Sequence, residues 1–248
     1  MKELYDAIFK RKSMRKYDGT LTLTTEELEG IVQKTRTIIP LYEKIKVKFA
    51  LVPRKETTAK WGEYCLLMYS EKDPNYLLNA GYMLQQMDLY CASLNIGSCW
   101  YGLAKVKEHQ VAGLEYVIML ALGKSSAHDF RTGISEFNRK DMGKIWQGDF
   151  SPKVKEAVRV APSACNTQPW RIEEKGSLVM VYQNTQLKSF IPKSKRAYFN
   201  TIDLGIALCH LEIAFLHEGY CFDRLLSSAT GADSQGLWEI ATYQVKKA

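Results

Sequence analysis

The chain has 248 residues, 46% of them apolar and 25% charged. That is enough to bury a substantial core, and it excludes a disordered, collagen-like or disulfide-dense chain. The formal net charge of +7 suits an anionic ligand, a nucleic acid or an acidic membrane surface without choosing among them.

The first residues, MKELYDAIFKRKS, carry no apolar run and no small-residue cleavage site, so they do not read as a signal peptide. Leu4, Tyr5, Ile8 and Phe9 recur at helical spacing and predict an amphipathic helix over 2–10. It runs into the basic cluster Lys10, Arg11, Lys12, Ser13, Met14, Arg15 and Lys16. Guanidinium and hydroxyl donors so close together suit a phosphate, although a solvated helix end has the same composition. Thr24 with Glu27 three residues on predicts a capped helix start. Residues 46–52 and 65–69 predict strands, and 79–95 predict a long buried helix that Gly97 ends. The turn expected there, Gly97-Ser98-Cys99-Trp100-Tyr101-Gly102, places two aromatics between glycines, an arrangement that suits a stacked planar ring. Residues 116–123 predict a fully buried strand.

The same order then recurs, with a helix over 153–160, a strand over 178–182, a long apolar helix over 203–216 and a final strand over 237–245. Between the first two lies the segment Ala161-Pro162-Ser163-Ala164-Cys165-Asn166-Thr167-Gln168-Pro169-Trp170, where two prolines fix the backbone and Ser, Asn, Thr and Gln supply polar side chains. It is expected to be a loop that presents hydrogen bonds to a planar polar ring. Set side by side, the two long helices align Ala92 with Ala214 and Leu94 with Leu216, which predicts two structural repeats. The six cysteines form no C-x-x-C pair and are expected as buried free thiols, and the four histidines are too dispersed for a metal site. The longest apolar runs, such as 117–122, fall short of a membrane span, so a cytoplasmic protein is expected. The basic run 193–196 beside Tyr198 and Phe199 reads as a solvated loop, with nucleic acid the alternative.

Together RKSMR, GSCWYG and PSACNTQPW resemble the FMN-dependent nitroreductase family, over nearly the whole chain and most specifically in PSACNTQPW. The chain is similar to internally duplicated, single-chain members. The resemblance implies an α+β fold with a central, mostly antiparallel sheet flanked by helices. It also implies one domain over 1–248, a pseudo-dimer of half-repeats at about 1–140 and 141–248. Arg11, Lys12 and Ser13 would hold the FMN phosphate and ribityl chain, and Arg15 would lie near the pyrimidine edge of the flavin. Trp100, Tyr101 and Gly102 would approach the N5 side, and Pro162, Ser163, Ala164 and Asn166 would line the opposite side. Arg139, or its neighbour Lys140, would reach back to the phosphate. Residues 36–41 lack the Ser and Asn of the second-half segment, and GYCFDR replaces GSCWYG at 219–224, so one flavin per chain is expected.

The implied activity is transfer of electrons from NAD(P)H to a small aromatic acceptor, a nitroaromatic or quinone. Flavin N5 would carry the hydride, with no catalytic side chain and no metal. No nucleic-acid or membrane partner is expected, and pseudo-dimers could pair further. The alternatives are reductive dehalogenation or flavin breakdown on the same fold, and a non-catalytic FMN- or nucleic-acid-binding protein.

Overall fold

A computed structural model describes residues 1–17, 19–228 and 231–247. The chain divides into two units, one of Met1–Tyr5 with Phe137–Ala248 and one of Asp6–Glu136. The predicted first helix is a 3-10 turn at Lys2–Leu4 followed by α1, Tyr5–Lys10.

In the unit of Asp6–Glu136, α2 (Thr25–Thr35) starts at Thr24 with both bonds of the predicted capping box. Strands β1 (Val47–Pro53), β2 (Tyr64–Ser70), β3 (Ile96–Tyr101), β4 (Gln110–Val111) and β5 (Leu114–Lys124) form one antiparallel sheet. Its order is β1-β2-β5-β3, with β4 on β5. Cys65, Leu67, Tyr69, Met119 and Ala121 alternate along β2 and β5 and so share one buried face. The long helix α3 (Tyr76–Ser93) is buried along most of its length.

The predicted stop of that helix is corrected. Asn95 takes the left-handed conformation (φ 58°) that ends it, and Gly97 already belongs to β3. The expected GSCWYG turn is therefore a strand as far as Tyr101. Gly97 is needed for close approach, because a Cβ there would stand 2.8 Å from Met14 Cγ and would run into Ser125 Oγ.

In the other unit, α4 (Met142–Ile145), β6 (Trp146–Gln147) and α5 (Pro152–Arg159) precede the strand pair β7 (Trp170–Lys175) and β8 (Leu178–Asn184). Then follow α6 (Lys193–His217), β9 (Tyr220–Leu226) and β10 (Leu237–Lys247). The sheet order is β6-β7-β8-β10-β9, antiparallel except for the short β6–β7 pair. The chain thus has a sheet in each unit instead of the one central sheet expected. The run 193–196 is the first turn of α6, not a loop, and Arg196 there donates to the carbonyls of Ile191 and Ser189.

Among the described residues, α6 alone is long and apolar enough to cross a membrane, and 89% of its apolar window is buried inside the protein. It packs on α5, where His210 Nδ1 meets the Ala157 carbonyl at 2.8 Å. Phe215, Phe222 and Tyr243 form an aromatic cluster beside it. Tyr5 stacks on His217 with ring centres 3.7 Å apart.

Candidate functional site

Arg11 closes α1, and the chain beyond it runs along β3: Ser13 bridges Ser98 in parallel, and Met14 N–H donates to the Ser98 carbonyl at 2.8 Å. The Tyr17 ring lies over Gly97 and Gly123, which are cross-strand partners on β3 and β5. Burial, reinforced by Cys99 and Asp88, drives the Tyr17 phenol upward from its ordinary pKa.

Arg11 is only 1% exposed. Its Nε stands 3.0 Å from Asp88 Oδ2 as an ion pair, and its Nη2 donates to Ser13 Oγ at 3.0 Å. Asp88, fully buried on α3, also accepts from the Ser98 hydroxyl and from Trp100 Nε1 at 3.3 Å. One carboxylate therefore gathers the guanidinium of RKSMR and the hydroxyl and indole of GSCWYG. Sequence reasoning did not single out Asp88, because a lone acid in an apolar helix carries no motif.

Arg131 was missed too. It donates from its backbone to the Lys10 carbonyl at 3.1 Å and from its guanidinium to the Arg11 carbonyl. Burial, then the charge of Arg11, pulls its pKa down to about 10. Lys12 is exposed, with Nζ 3.2 Å from the Asp129 carbonyl oxygen. Arg11 pairs with Asp88, Arg131 with the Arg11 carbonyl and Lys12 with the Asp129 carbonyl, so cations and the Ser13 hydroxyl gather in one short stretch, a donor set suited to a phosphate.

Beside this set, exposed Arg15 lies over the Trp61 ring at 5.8 Å, and Trp61 and Tyr101 have ring centres 5.2 Å apart. The Tyr101 hydroxyl accepts the Lys60 N–H at 3.0 Å. Trp100 and Gly102 are half-buried. Burial raises the Cys99 thiol pKa against the opposing charges of Arg15 and Arg11. Arg11, Lys12, Ser13, Arg15, Trp100, Tyr101 and Gly102 all belong to this unit.

Arg139, Pro162, Ser163, Ala164 and Asn166 belong to the other unit. Cys165, Asn166 and Gln168 have φ of 50°, 55° and 47°, a left-handed conformation that is costly for side chains other than Gly or Asn. A dense set of bonds holds it. Ser163 Oγ accepts the Gln168 N–H at 2.9 Å, and the Gln168 amide donates to the carbonyl and side chain of Asn166. Ala164 N–H donates to Asp203 Oδ1 at 3.0 Å. Arg139 donates to the carbonyls of Val160, Ala161 and Asn138 and to Asn166 Oδ1. Lys140 Nζ donates to the Thr167 and Gln168 carbonyls at 2.7 and 3.0 Å, and burial, then Lys144, lowers its pKa. Arg139 and Lys140 thus clamp this segment, while Arg131 is the cation found beside Arg11.

All six cysteines are free, and four are buried as expected, but Cys165 and Cys221 are exposed. Among the described residues no cluster of His, Cys, Asp and Glu could hold a metal.

Antiparallel sheets with long buried helices, and a cationic N-terminal segment fixed on one sheet, define a mixed α+β protein. The family model described as "Putative TM nitroreductase" matches residues 3–215. The chain belongs to that family, and membership points to flavin-dependent oxidoreduction. The fold is similar to the crystal structure of a "putative nitroreductase" from Thermotoga maritima MSB8, at a TM-score of 0.65 and 17% identity over 97% of this chain and 93% of that one. A nitroreductase family protein from Clostridium novyi NT aligns at a TM-score of 0.41 and 18% identity, over 49% of this chain and 86% of that one. No curated protein matches.

Proposed function

We propose that the chain binds one FMN and passes electrons from NAD(P)H to a small aromatic acceptor of nitroaromatic or quinone type. The carrying observation is the gathering of Arg11, Ser13 and Arg131, with Arg11 paired to Asp88 and bonded to Ser13 and Arg131 on the Arg11 carbonyl, a cationic set of the chemistry that an FMN phosphate needs. Arg131 is a further candidate for the phosphate, in addition to the Arg139 that the resemblance gives. Lys12 adds a solvent-side cation.

FMN, when bound, would supply hydride acceptance and donation at its N5. The protein supplies position and charge. Arg15, held beside Trp61 and Tyr101, is assigned to the pyrimidine edge, where a cation favours the reduced ring. The Trp100 indole, tied to Asp88, and the Tyr101–Gly102 backbone are assigned to the N5 side. Pro162, Ser163, Ala164 and Asn166 keep the flavin-lining role that the resemblance implies. NAD(P)H and acceptor would react in turn. Each unit has one five-stranded sheet and one long buried helix, α3 or α6, which supports internal duplication.

The test is to reconstitute the purified chain with FMN, quantify flavin against protein and add NADH or NADPH under anaerobic conditions. One FMN per chain that bleaches with the nucleotide and recovers its colour with a quinone or nitroaromatic is expected. Two flavins per chain would overturn the single-site reading, and bound flavin that no nucleotide bleaches would make the chain a flavin store.

A further inference from the structure

The 163–168 segment carries three left-handed residues, and only one of them is an Asn. Such a course persists only where its surroundings over-determine it. Most of the bonds that do so come from within the segment or from Arg139 and Lys140. One comes from beneath it, where Asp203 Oδ1 accepts the Ala164 N–H at 3.0 Å. This bond falls directly before the first left-handed residue, Cys165, and so fixes where the turn starts.

Asp203 is 3% exposed and sits on α6 among Ile202, Leu204 and Ile206 in the chain, all buried. Its Oδ2 is buried and has no hydrogen-bond partner among the described residues. An ionised carboxylate with a single amide donor would be poorly compensated in such a place, whereas a neutral acid needs far less. Asp88 shows the contrast, being equally buried but matched by the Arg11 guanidinium, a hydroxyl and an indole. Burial pushes the Asp203 pKa up to about 8, against the opposing effect of the Ala164 N–H, in agreement with the geometry.

We propose that Asp203 is a positioning residue of the flavin site: as a neutral carboxylic acid it holds the Ala164 amide and so sets the left-handed course on which Ser163, Ala164 and Asn166 are presented. The inference rests on the assignment of those three residues to FMN. A neutral acid and an asparagine are near isosteres, each with one acceptor oxygen for the Ala164 N–H. Asp203→Asn should therefore be tolerated, while Asp203→Leu and Asp203→Ala, which have no acceptor, should not.

The experiment measures two quantities in the wild type and these three variants: amide hydrogen exchange at Ala164 without flavin, and the FMN dissociation constant with the visible circular dichroism of the bound flavin. Asp203→Asn should keep Ala164 protection and bind FMN within about threefold of the wild type. Asp203→Leu and Asp203→Ala should lose Ala164 protection, change the flavin dichroism and weaken FMN by about tenfold, the worth of one hydrogen bond. Protection retained along α6 would show that these variants still fold. Wild-type behaviour of all three variants would overturn the positioning role, and damage by Asp203→Asn equal to that by Asp203→Leu would overturn the neutral acid. A wild-type chain that takes up no FMN would sink the cofactor assignment, and Ala164 exchange would still decide whether Asp203 holds the segment.

Discussion

Asp88 and Arg11, far apart in sequence, form an ion pair of 3.0 Å in which neither side chain meets solvent. Such a pair contributes little net stability over an apolar replacement, but removing one partner strands a buried charge. Arg11→Ala should lower unfolding free energy by about 3–5 kcal/mol, measured by urea denaturation, and should also weaken FMN. Lys195→Ala, at an exposed position, should change stability by no more than about 0.5 kcal/mol. The double variant Arg11→Met with Asp88→Asn should be more stable than Arg11→Ala alone. Equal effects of Arg11→Ala and Lys195→Ala would remove the N-terminal cluster from the site.

A Cβ on Gly123 would meet the Tyr17 ring at 2.8 Å, and its three nearest neighbours would all be atoms of that ring. Gly123→Ala should therefore destabilise the protein by about 1–3 kcal/mol through overpacking. Tyr17→Ala should remove that penalty, so that the double variant loses less than the sum of the singles. Additive losses in thermal denaturation would mean that the ring does not rest on the strand.

The raised pKa of Asp203 fixes the sign of a pH effect. With a folded value of about 8 and an ordinary unfolded value of about 3.9, the folded chain binds one more proton than the unfolded chain between the two. Its contribution is fully present below about pH 4, falls as pH rises and is lost above about pH 8. Asp203→Asn should therefore gain stability relative to the wild type on going from pH 5 to pH 9. A constant difference in unfolding free energy between the two chains across that range would count against it.

Arg15→Gln separates binding from redox tuning. A cation at the pyrimidine edge matters more to the reduced, anionic ring, so its loss should lower the flavin midpoint potential more than the affinity for oxidised FMN. For a two-electron couple ~1.4 kcal/mol corresponds to about 30 mV, within reach of spectroelectrochemistry. An unchanged potential with weakened FMN would move Arg15 to the phosphate end.

The longer helices and five of the ten described strands were legible because their signals are local: the Thr24–Glu27 box, the residue alternation in β1 and the apolar runs of α3 and α6. The GSCWYG turn was misread because two glycines look like a turn in sequence, whereas Gly97 serves the close approach of the Met14–Tyr17 stretch. Asp88, Arg131 and Trp61 were invisible for a related reason. Each matters through a neighbour distant in the chain, and none stands in a motif. The 161–170 segment was recognised by composition, yet its polar side chains hold the segment itself in place, a use that becomes visible only with the backbone dihedrals.

The Tyr17 ring on Gly97 and Gly123 also bears on how this lineage can drift. Because the ring fills the space where a side chain at 123 would stand, positions 17 and 123 are not free to change one at a time, whereas a side chain at 97 would also meet Ser125 and Met14. Relatives with an aromatic at 17 should retain glycine at 123, and those with a larger residue at 123 should have a small one at 17. A collection of such sequences would show this as paired substitution, a footprint of the folded N-terminal segment readable without any structure.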